Sequence, residues 1–148
     1  MMKGIEHLFA QIKENIAKIH GVEMVGHVDP HDLSRLTNRA AQICALDVVL
    51  FMHRKKYGNK LNLLDGKQAL YHKLLMKYQW PLSVIDKLSL SDILLVLHDE
   101  LQLELLPERT GRYLSQVISD QYPVNFAECH DAEWDPALSK TYLKNDYE

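Results

Sequence analysis

Between Pro30 and Gly58 the chain runs without a proline or a glycine, and from Ile43 to Met52 only Asp47 interrupts an apolar run. No other feature constrains the fold as much. Leu33, Leu36, Ala40, Ile43, Cys44, Leu50 and Phe51 recur at helical spacing, which predicts a long helix over about 30–57. Asp29 supplies an N-cap carboxylate, Pro30 a preset first turn and Gly58 the stop. A helix apolar on nearly all sides has to be surrounded, as the central member of a bundle is. Asp47, between Leu46 and Val48, breaks the pattern. If it is buried, its carboxylate needs a partner or incurs several kcal/mol of desolvation. His53, Arg54, Lys55 and the lysines of 67–79 are the candidates. Otherwise Asp47 marks a narrow exposed stripe.

The rest of the chain supplies the surrounding helices. Ile5, Leu8, Phe9, Ile12, Ile16 and Ile19 define one over about 3–20, ended by Gly21. Prolines at 81, 107 and 136 fit the first turns of helices over 81–88, 107–122 and 136–144, while Pro123 reads as a stop. Another helix spans 67–79, with Leu70, Leu74 and Tyr78 on one face. Ser89 and Asp92 form a capping box for a helix carrying Leu90, Ile93, Leu94, Leu97 and Leu101. The 107–122 helix turns Tyr113, Leu114, Val117 and Ile118 inward. Two stretches, 101–105 and 122–126, alternate with period two and admit a small two-stranded accessory. The expected fold is mainly all-α: one compact domain over 1–148, a bundle of six or seven helices.

Composition narrows the class. With 47% apolar and 25% charged residues the chain is globular rather than disordered. Its longest stretch without a charged residue, Tyr78–Ile85, is eight residues, too short to span a bilayer as a helix. Glu6 and Lys13 break any apolar leader segment. Cys44 sits among apolar neighbours and neither it nor Cys129 belongs to a CxxC pair, which points to a reducing, cytoplasmic setting.

No phosphate-binding glycine loop, GxSxG or HExxH pattern is present, so no catalytic residue and no cofactor are assigned, and enzyme status is unsupported. His27 and His31, with Asp29, Asp32 and nearby His20, carry donors of the kind a transition metal takes. Asp29 and Asp32 are already explained by the positive end of the long helix, and nothing completes a cage. No metal ligand is assigned there, and a metal-dependent enzyme at this junction is the third reading. Cys129, His130, Asp131, Glu133 and Asp135 surround Trp134 in a polar segment that reads as a surface or binding loop.

Charge is unevenly spread around a net of −3. Segment 53–78 has seven basic residues against Asp65; segment 86–108 has six acids against Lys87. Such blocks either pack against each other or steer a partner. By elimination, the expected function is that of a small non-enzymatic protein that binds another macromolecule, an inhibitor, immunity protein or adaptor. Its partner would be a protein with a basic surface, met by Asp99, Glu100, Glu104 and Glu108, with Trp134 as the anchor, unless Trp134 instead packs on the domain and pins the C-terminal helix. The alternative is a helix-turn-helix DNA-binding regulator. Arg109, Arg112 and Gln116 share one face of the 107–122 helix and could read bases. Against it stand the missing turn glycine in 102–106 and the acidic preceding helix. The lysines of 53–78, interleaved with Tyr57, Tyr71 and Tyr78 and followed by Trp80, could also hold a single strand, but the tyrosines fall on apolar faces.

Overall fold

A computed structural model describes residues 3–143. Helix α2, Pro30–Tyr57, is its hub. Between Arg39 and Leu50 every residue of α2 except Gln42 and Val49 is buried, Asp47 included. The Asp29 carboxylate accepts from the His31 amide at 2.8 Å, as an N-cap should. Gly58 ends the helix in extended rather than left-handed backbone. What requires glycine there is space: a Cβ would lie 2.7 Å from the Arg54 carbonyl oxygen and 3.1 Å from that of Leu63.

Around α2 pack α1 (Lys3–His20), α3 (Gln68–Tyr78), α6 (Glu108–Ile118) and α7 (Leu138–Tyr142). The short helices α4 (Leu82–Ile85) and α5 (Leu90–Val96) lie between α3 and α6 in the chain. Among the described residues these seven α-helices are joined by three 3-10 turns, at His98–Glu100, Leu103–Leu105 and Asp131–Glu133. The mainly all-α bundle follows as expected, and no described helix is long and apolar enough to cross a membrane.

α1 buries Ile5, Leu8, Phe9, Ile12 and Ile16, each a side chain whose removal from water stabilises the fold by roughly 1.5–3 kcal/mol. Ile19 departs from the expected stripe and is 37% exposed; His20, one turn beyond Ile16, takes the inward position instead. The α5 capping box forms with both bonds, from the Asp92 amide to Ser89 Oγ at 3.1 Å and from the Ser89 amide to Asp92 Oδ2 at 3.3 Å. α6 begins after Pro107 but stops at Ile118, earlier than the spacing predicts. The predicted last helix reaches Lys144, which lies outside the described residues.

Neither period-two stretch forms a strand. Residues 103–105 close a 3-10 turn against α6, where Gly111 lets the Leu103 carbonyl approach; a Cβ at 111 would lie 2.5 Å from that oxygen. Residues 122–126 run along α2 and turn alternate carbonyls toward it. Asn38 Nδ2 donates to Tyr122 O at 2.8 Å and Val124 O at 2.7 Å, and an Arg39 guanidinium nitrogen to Phe126 O at 3.0 Å. Side chains of a helix do here what a neighbouring strand would otherwise do.

Candidate functional site

The segment after α6 is fastened to the bundle by buried charge. Arg39 of α2 is 4% exposed and Glu133 1% exposed. Arg39 donates to Glu133 Oε1 at 2.7 Å and to Glu128 O at 3.3 Å. Glu133 Oε2 faces His20 Nε2 at 2.7 Å and accepts from the His130 amide at 2.9 Å. The His20 ring stacks on Phe126, with centroids 3.8 Å apart. Burial alone pushes the Glu133 carboxyl up, but the His130 amide, Arg39 and His20 more than offset it and hold it below its ordinary value. A charge so buried persists only with this many partners. His130 itself is exposed, and its Nε2 lies 3.6 Å from Glu128 Oε1.

One layer deeper, Asp47 finds its partner. Trp134 Nε1 donates to Asp47 Oδ1 at 2.8 Å, and the indole is 6% exposed. The bases weighed from sequence do not bond it; Arg54 acts only at longer range, its guanidinium donating to Leu64 O and Gly66 O at 2.8 Å. Burial raises the Asp47 carboxyl to about 7, against the lowering effects of Trp134 and Arg54. Trp134 therefore offers no ring to a partner: the fold itself takes the residue expected to anchor one.

The basic and acidic blocks meet each other. Lys73 Nζ lies 2.6 Å from Glu100, and Lys77 Nζ lies 2.9 Å from Asp99 and 2.8 Å from Glu100. Desolvation works against the Lys77 charge, but Glu100 and Asp99 hold its pKa above the ordinary value. Tyr78 donates to Val96 O and stacks on Trp80, and Tyr71 donates to Asp86 at 2.8 Å, so these aromatic side chains have partners within the fold.

Where the blocks join, a concavity of about 600 Å³ opens between α2, α3 and the two turns that precede α6. Val49, Met52, Met76, Leu105, Leu106 and Pro107 form its apolar surface, with Lys56, Lys73, Lys77, Asp99 and Glu100 around them. His53 in its wall lies 2.8 Å from His72, and burial with nearby Lys73 lowers its pKa to about 4, keeping it neutral. Across Leu106 lies a second hollow of about 390 Å³ that includes Leu103, Glu104, Glu108 and Arg112. The four carboxylates singled out from sequence thus line two adjoining hollows, with Leu105, 65% exposed, beside Leu106 at their junction.

The alternative sites fare differently. Arg109, Arg112 and Gln116 do share the exposed face of α6, where Arg112 pairs with Glu108. Residues 97–107 between α5 and α6 hold two 3-10 turns, where a helix-turn-helix has a turn of about three or four residues. His31 stacks on Tyr122 at 4.4 Å, His27 is exposed, and His20 points away to Glu133, so the histidine-rich junction does not gather. Among the described residues, the group of three metal-capable side chains that does converge is His20, His130 and Glu133. Sequence reasoning missed it because His20 and Glu133 lie 113 positions apart. The one legible hint was His20 on the i+4 position after buried Ile16.

The fold and these sites define a mainly helical protein braced by buried ion pairs. The chain matches no protein-family model, no curated protein and no solved structure.

Proposed function

We propose that this chain is a non-enzymatic protein-binding module, of the inhibitor, immunity-protein or adaptor kind. Its ligand is a partner segment that carries an apolar side chain beside basic residues. The observation that carries the reading is the apolar concavity of about 600 Å³, with Leu105 on its wall, adjoining through Leu106 a hollow that holds Glu104 and Glu108. A lone exposed leucine means nothing by itself; one at the lip of an apolar concavity is where a partner side chain can be desolvated. Asp99 and Glu100 are held by the chain's own lysines and Glu108 by Arg112, an exposed pair that a partner can exchange, which leaves Glu104 first to meet basic residues of the partner. Such rim carboxylates speed and orient encounter more than they add affinity. With Trp134 inside the fold, the anchor passes to the groove around Leu105, Met52 and Met76, which are 65%, 36% and 47% exposed.

Selection of a displayed peptide library on the folded chain tests this. Enriched peptides should pair an apolar residue with lysine or arginine. Leu105→Asp should weaken them about tenfold or more, near 1.4 kcal/mol, without changing the melting temperature. Glu104→Lys with Glu108→Lys should slow association and flatten its salt dependence. Peptides that bind the Leu105→Asp chain equally well, or that share no basic residue, would refute the proposal.

A further inference from the structure

We propose that His20, His130 and Glu133 form a site for one divalent transition-metal ion of the zinc class. One ligand atom from each lies within 4.8 Å of the others. Two imidazoles and one carboxylate are a donor set that zinc takes while keeping a position open to water. Nitrogen and oxygen donors without thiolate also fit the borderline character of that ion.

The group is held as metal ligands generally are. Stacking on Phe126 at 3.8 Å fixes the His20 ring. Arg39 donates to Glu133 Oε1 at 2.7 Å and the His130 amide to Oε2 at 2.9 Å, the kind of outer contacts that orient a ligating carboxylate. The exposed His130 ring gives the ion its entry and can turn to close the set. His20 Nε2 and Glu133 Oε2 share a hydrogen bond of 2.7 Å. The ion takes the place of that hydrogen, which passes to Nδ1 of the ring or to water, and the two atoms part to about 3.3 Å, the separation that bonds of about 2.05 Å impose in a tetrahedron. Glu128 Oε1, 3.6 Å from His130 Nε2, adds negative charge on the open side of the group.

The experiment is calorimetric titration of the folded chain with zinc alone, repeated with cobalt to read its absorption, alongside melting curves. His130→Ala and His130→Asn carry the test, because an exposed ring can be removed without unfolding the bundle. His27→Ala and His31→Ala serve as controls. We expect one ion per chain, a melting temperature raised by zinc, and binding at least tenfold weaker in both His130 variants but unchanged in the controls. An absence of stoichiometric uptake overturns the proposal, as does undiminished binding after loss of His130, or binding lost in the controls. Peptide selection at the Leu105 groove is read separately, so either reading can fail alone.

Discussion

Replacing Asp47 by asparagine should make the protein's stability less sensitive to pH, and by an amount the structure sets. The Asp47 side chain is buried within α2, its Oδ1 bonded to Trp134 and its Oδ2 without a hydrogen-bond partner. Burial raises the carboxyl from 3.8 to about 7. The folded state therefore binds this proton more tightly than the unfolded state. Its contribution is fully present below pH 3.8, declines as the pH rises, and is gone above about 7. At about 1.36 kcal/mol for each tenfold change in proton affinity, the loss between pH 5 and pH 8 is about 3 kcal/mol. The substituted amide would keep an acceptor for the indole and does not ionise. Its nitrogen, buried without an acceptor, adds a penalty of about 1–3 kcal/mol that does not depend on pH. Urea unfolding of both proteins from pH 5 to pH 8 isolates the effect, because the other titrating groups cancel in the difference. The stability of Asp47→Asn relative to the parent should climb by about 3 kcal/mol across that range. A difference that stays constant would show that Asp47 titrates as an ordinary carboxylate, and the burial argument would fail.

Two further outcomes follow from the same packing. Glu133→Gln leaves the buried Arg39 guanidinium without its carboxylate and should destabilise the fold by about 3–5 kcal/mol in urea unfolding; Arg39→Met with Glu133→Gln should recover much of that loss, and a single variant within about 0.5 kcal/mol of the parent would contradict the pairing. Gly58→Ala forces a Cβ to within 2.7 Å of the Arg54 carbonyl and should lower the melting temperature by several degrees, although the φ of −69° is open to any residue; an unchanged melting temperature would mean that the α2 terminus relaxes freely.

Most of the helical frame was legible because its signals are local. Asp29-Pro30, the Ser89–Asp92 box and the 3.6-residue spacing of α1 and α2 act within one or two turns, and the chain obeys them. What escaped the sequence was long-range pairing of polar groups. Asp47 stands out as a carboxylate in an apolar helix, and the bases nearby in the chain are the partners its sequence context offers. The partner is an indole 87 positions away, and a neutral N–H serves because burial raises the carboxyl to about 7. For Trp134 the sequence leaves anchor and packed residue side by side, because its polar neighbours at 128–135 look solvated; the structure takes the packed reading, and Glu133 beside it is among the most buried described residues. Charge in that segment marks a fastening made with Arg39 and His20 rather than a wetted loop.

The alternation at 122–126 carries the same lesson one step further. Period two states that successive backbone groups face opposite ways, so that carbonyls 122, 124 and 126 share one side and require donors there. It does not state what the donors are. A strand edge would have supplied amides, but Asn38 and Arg39 of α2 supply side-chain N–H groups over the same three carbonyls. Because Arg39 also holds Glu133, the guanidinium that replaces a strand at Phe126 is the one that fixes the carboxylate beside His20 and His130. The 122–126 segment, the buried ion pair and the proposed metal ligands are thus parts of one fastening, and α2 is its centre.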